Sequence, residues 1–215
     1  MEKFFTINTI APLLLTLPED DILSRLGRNR FLTVIDRNLS IKLRLAMQKA
    51  FDLCHARGRW KLLKVTSNTG NEVVLNDNWQ IQSRKFADFA GTSEYIFLGA
   101  VTIGDDLPQT VDSLQKQNNM FEAAIFDAAG SECADLAIGL LQKIAAADLS
   151  RSGFTISKQR FSIGYGEVEL FHQQEVFQQL ELNDFGMHLT PSCIMCPEKS
   201  VTAFCTVNKT NVMEQ

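Results

Sequence analysis

From Arg160 to Gly166 the chain reads Arg-Phe-Ser-Ile-Gly-Tyr-Gly, residue types that suit contact with a small molecule. Arginine offers a planar fork of N–H donors that fits a carboxylate. Gly164 and Gly166 bracket Tyr165, so the backbone can turn tightly or approach a ligand without Cβ interference, while the phenol adds a flat face and a hydroxyl. The backbone around Ser162 and Gly164 offers polar groups to the edges of a bound molecule. Taken alone, the same run also suits a turn between two strands. A second cluster is Cys193-Ile194-Met195-Cys196, followed by Cys205. Thiols at this spacing bind zinc or cycle as a dithiol. No second Cys-x-x-Cys or nearby His pair completes a ligand set, and His188, between Met187 and Leu189, reads as a packing side chain. With histidines only at 55, 172 and 188, general-base options are few.

These residues need a scaffold, and the pattern predicts one of class α+β. Pro18-Glu19-Asp20-Asp21 opens a helix that Gly27 closes. Leu39, Leu43, Met47, Ala50 and Cys54 recur at helical spacing from about Asn38, with Gly58 placed as a C-cap. Strands are expected over 61–66, 72–75 and 79–82, separated by Asn68-Thr69-Gly70-Asn71 and Asn76-Asp77-Asn78, which makes an antiparallel meander. The apolar run 95–101 reads as a buried strand that turns at 102–106 into a helix capped by Asp105 or Asp106. The longest helix is expected over 120–148, against a twisted, largely antiparallel sheet. Residues 154–157 read as a strand leading into the Arg160 run. An amphipathic helix over 171–182 and strands over 186–190 and 200–207 follow. The chain reads as one domain over 1–215, helical through its first 60 residues and frayed over 208–215.

Composition excludes several classes. Hydrophobic residues make up 45% and charged residues 21% of the 215, and the net charge is −4 without a long basic run, which argues against a nucleic-acid binder. No apolar stretch approaches a membrane span, and 10–15 lacks the flanks of a signal peptide. The odd count of five cysteines fits a reducing compartment, so the expected location is cytoplasmic.

Two runs together carry a family resemblance. Arg160 to Tyr165 forms an Arg-x-x-x-Gly-Tyr loop, and Leu189-Thr190-Pro191-Ser192-Cys193-Ile194-Met195-Cys196-Pro197-Glu198-Lys199-Ser200-Val201 follows it. This pairing resembles the activation domain of cobalamin-dependent methionine synthase, and is most similar to its free-standing versions. Thr202 and Ala203 stand in the places of the family's final Ser-Gly, and the resemblance extends upstream through 102–104 and 127–131. Ile163 occupies a usual proline position, and a phenol expected near Ala203-Phe204-Cys205-Thr206 is missing.

The resemblance implies the activation-domain fold and binding of S-adenosylmethionine, with Arg160, Ser162, Gly164 and Tyr165 around the ligand and Glu132 or Asp135 of the long helix as the acid facing its positive centres. It implies an accessory role in methionine synthesis rather than an enzyme acting alone. The cobalamin would be carried by a partner, a methionine synthase or other corrinoid protein, with a flavodoxin-like protein as electron donor. A sequence around Asp52 and His55 is similar to the Asp-x-His-x-x-Gly cobalamin signature, but its spacing is wrong by one residue, so the chain itself is not expected to bind cobalamin. Two other readings stay open: a docking module for a corrinoid protein that has lost the ligand, and a thiol or metal protein using Cys193 and Cys196.

Overall fold

A computed structural model describes residues 2–29, 33 and 35–210. The elements are β1 (Asn8–Ile10), α1 (Glu19–Arg25), α2 (Arg37–Asp52), β2 (Arg57–Asn68), β3 (Glu72–Leu75), β4 (Trp79–Gln82), α3 (Arg84–Ala90), β5 (Tyr95–Thr102), α4 (Asp106–Lys116), α5 (Met120–Ser150), β6 (Phe154–Ile156), α6 (Gln173–Leu180), β7 (His188–Leu189), β8 (Met195–Cys196) and β9 (Ser200–Lys209). The expected α+β class is observed. Seven strands form one antiparallel sheet in the order β4-β3-β2-β5-β9-β6, with β1 paired to β2, and β7 and β8 form a separate hairpin. No helix among the described residues is long and apolar enough to cross a membrane.

Both sheet faces are covered, which explains why β5 is apolar from Ile96 to Val101. Its alternate residues serve different cores. Phe97 and Val101 join Trp60, Leu62, Ala203 and Cys205 under α2 and α5, while Ile96, Leu98 and Ala100 join Leu63, Phe204, Phe86, Val176 and Phe177 under α3 and α6. The 31-residue α5 lies close on the sheet because Gly58 and Gly99 have no Cβ. At Gly58 a Cβ would stand 2.9 Å from Val101 and 3.0 Å from Leu141.

Gly58 is therefore a strand residue and not a C-cap; α2 ends at Asp52 with Leu53 as its C-cap. Asp105 occupies the N-cap of α4 without a side-chain cap bond, and Asp106 Oδ2 instead lies 3.1 Å from His55 Nε2. The first 60 residues contribute β1 to the sheet as well as two helices. The chain end is more ordered than expected through Lys209, because Asn208 and Lys209 pair with Thr155 and Phe154. Residues 211–215 of the expected frayed tail lie outside the described residues.

On the outer face of β2, Arg59 Nη1 donates to the carbonyls of Leu180 and Glu181, and Arg57 donates to the Phe185 carbonyl. Arg59 thus takes orphan carbonyls at the C-terminus of α6. Lys61 Nζ bonds Gln179 Oε1 at 3.0 Å, and burial lowers its pKa from the ordinary lysine value.

Candidate functional site

The segment after β6 passes from the α5 side of the sheet to the α3 side at its open edge. Ser157 N–H donates to the Thr206 carbonyl, and Gln142 of α5 donates to the Ser157 carbonyl. Beyond Arg160, Phe161 and Phe204 exchange both backbone hydrogen bonds, at 2.9 and 2.8 Å, so β9 fixes the start of the loop. Aromatic packing supports the same point. Phe86 lies edge-on to both Phe161 and Phe204 with ring centres 5.2 Å apart, a geometry that contributes about 0.5–1.5 kcal/mol per pair beyond burial.

The loop closes on itself. Gly164 N–H donates to the Val168 carbonyl, Val168 N–H to the Tyr165 carbonyl, and Tyr165 N–H to the Ser162 carbonyl at 3.3 Å. Gly164 at φ +89° and Gly166 at φ +57° occupy the left-handed region that favours glycine. The Gly164 N–H and the Ser162 carbonyl, read from sequence as groups open to a ligand, are engaged within the loop. Ile163 is buried and anchors the turn to the α3–α6 core. Tyr165 is 75% exposed.

Arg160, Ser162 and Tyr165 line one cleft of about 380 Å³ together with Lys85, Phe161 and Gly166. A second cleft of about 420 Å³ shares Arg160 and lies against α5 at Gly139, Gln142, Lys143 and Ala146. Both volumes fall within the range of small-molecule sites. A Cβ on Gly139 would stand 3.9 Å from Arg160 Nη1, which places the guanidinium over the long helix. It also lies near Cys205, whose thiol burial pushes up to about 12 against the opposing charge of Arg160. Among the described residues, no carboxylate or carbonyl accepts from the Arg160 side chain.

The two expected acids are not in these clefts. Glu132 accepts from Arg25 Nε, and Asp135 Oδ2 lies 3.5 Å from Arg25 Nη2. Both share a stripe of α5 with Gly139, but Glu132 sits seven residues, about 10 Å, nearer the helix start. The 127–131 run has a different task. Asp127 Oδ1 bonds Lys199 Nζ at 2.6 Å, Ser131 Oγ bonds it at 3.2 Å, and Gly130 leaves room for the Lys199 stem. Burial would lower the pKa of Lys199, and the bonds to Asp127 and Glu198 outweigh it and raise the pKa.

Lys85 was not found by sequence reasoning because α3 was not. Ser83 carried the signal: its hydroxyl caps the helix by accepting from Phe86 N–H at 3.1 Å, and it also donates to the Gly166 carbonyl, tying α3 to the loop. The thiol run lies on the β7–β8 hairpin, with Cys193 buried and its Sγ 3.6 Å from Gln174 Nε2. Among the described residues, no three His, Cys, Asp or Glu gather as a metal set.

No family model matches the chain. No curated protein matches it either. Among solved structures it is similar to the MetH reactivation domain bound to AdoHcy, S-adenosylhomocysteine, with a TM-score of 0.65 at 14% identity over 94% of this chain and 78% of that one. The chain has the fold of that reactivation domain.

Proposed function

We propose that this chain is a reactivation module that works in trans on a corrinoid methyltransferase of the methionine synthase kind, holding S-adenosylmethionine at the Arg160 cleft. The observation that carries the reading is the Arg160 guanidinium, unpartnered among the described residues, at the meeting point of two ligand-sized clefts. The fold adds support, since the similar domain was solved with S-adenosylhomocysteine. S-adenosylmethionine supplies an electrophilic methyl group when bound. The chain's own residues bind and orient: Arg160 takes the carboxylate as a bidentate pair, Ser162 offers a hydroxyl, and Tyr165 lies over the ligand. The cobalamin and the electron donor, a flavodoxin-like protein, belong to the partners in this reading.

The test mixes an oxidised corrinoid methyltransferase lacking its own reactivation domain with a reductant, S-adenosylmethionine and this protein, and follows methylated cobalamin by absorbance. Methylation that depends on the protein is the expected result. Equal rates without it, or consumption of S-adenosylmethionine by the protein alone, refute the reading. A second reading, a corrinoid docking module without a ligand, is favoured by one observation: Arg25 already engages Glu132 and Asp135, the acids expected to face the ligand's positive centres. Calorimetry with S-adenosylhomocysteine separates the two, because a docking module gives no heat.

A further inference from the structure

Two cations from separate segments line the loop cleft, Arg160 after β6 and Lys85 in the first turn of α3, and no carboxylate lines it with them. The adjoining Arg84 reaches Asp88 at 4.0 Å, whereas Lys85 has no ion-pair partner among the described residues. Packing positions it instead. A Cβ on Gly166 would stand 3.0 Å from Lys85 Cδ and 3.1 Å from its Cβ, so the lysine stem lies directly on the loop, and the residue lines the cleft. Ser83 holds this arrangement by its bond to the Gly166 carbonyl.

We propose that Lys85 is a second anion anchor of this cleft, joining Arg160 on a single carboxylate, so that the site selects small ligands with a free carboxylate. The inference rests on the S-adenosyl reading above. A carboxylate offers about four lone-pair directions; the arginine fork uses two in parallel, and an ammonium can take another. A bound anion also offsets the mutual repulsion of two like charges facing one space. A phosphate would satisfy the same pair of cations, so the test must distinguish the two sources.

Calorimetry of the whole chain with three probes does so: S-adenosylhomocysteine, 5′-methylthioadenosine, which keeps the nucleoside and thioether but lacks the amino-acid end, and AMP, which carries phosphate. Lys85→Ala is expected to weaken S-adenosylhomocysteine by about tenfold, to leave 5′-methylthioadenosine unchanged, and to be rescued in part by Lys85→Arg. Lys85 is exposed, so the variant should fold, which a thermal melt verifies. Equal loss for both thioethers, or no loss for either, overturns the anchor. AMP binding more tightly than S-adenosylhomocysteine and losing affinity in Lys85→Ala overturns the carboxylate assignment. A wild-type chain that binds no S-adenosylhomocysteine overturns the S-adenosyl reading itself and the anchor with it; binding that Lys85→Ala leaves unmoved removes the anchor alone.

Discussion

Arg25, at the end of a seven-residue helix, donates its Nε–H to Glu132 and brings Nη2 to 3.5 Å from Asp135, so one guanidinium engages both acids of the α5 stripe. One guanidinium offsets only one of the two carboxylate charges, and removing it would leave both acids of the stripe uncompensated. Arg25→Gln should therefore raise affinity for the cationic S-adenosylmethionine relative to the uncharged thioether of S-adenosylhomocysteine. A charge about 10 Å away contributes about 0.5–1 kcal/mol. The cost to folding should stay below about 1 kcal/mol, since the pair is partly solvated. Calorimetry with both ligands reads the ratio, and an unchanged ratio counts against the effect.

Arg160→Ala should weaken S-adenosylhomocysteine by about 1.5–3 kcal/mol, the scale of hydrogen bonds to a charged group. It should leave the melting temperature in place, because the guanidinium has no partner among the described residues to lose. A lower melting temperature with unchanged binding would make Arg160 structural.

Cys193 and Cys196 should tolerate joint replacement by serine with a loss within about 1 kcal/mol and full ligand affinity. The Cys193 sulfur sits by the Gln174 amide, a partner that a hydroxyl can keep. Stoichiometric zinc or iron in the purified protein, absent from the double variant, would assign the thiols to a metal.

His172 gives the fold a dependence on pH. Trp79 Nε1–H donates to its Nδ1 at 3.1 Å, a bond that needs the neutral ring. Burial lowers the pKa of His172 from the ordinary histidine value, against the opposing pull of Glu169 and Glu175. The unfolded chain then binds more protons between the lowered folded pKa and about 6.5, so stability falls as pH drops through that window and levels off below it. Urea midpoints of wild type and His172→Asn, measured between pH 5 and pH 8, should diverge in slope only below about pH 6.5. Parallel slopes would refute the assignment.

The meander was legible because its turns are written in residues that tolerate positive φ: Asn76 at 49°, Asp77 at 65° and Gly70 at 85°. The long helix was legible from its length and its Ala and Leu content. Gly58 misled because a glycine after a helical stripe looks like a cap, and only the approach of Leu141 and Val101 shows why it lies in a strand. At the site, the Arg160 loop was readable as a run, while its neighbours were not. Lys85 depends on a helix of seven residues with one capping serine as its signal. Arg25 is 107 residues from Glu132, and no local pattern reports a charge that arrives from so far along the chain.

Among the described residues, the sheet separates two cores that share no buried side chain. Substitutions on opposite faces that lie more than about 10 Å apart and share no partner therefore add in their cost rather than compound it. For descent, this means that the face bearing the Arg160 loop can accumulate changes, and with them new ligand preferences, while the face under α5 continues to specify the same fold.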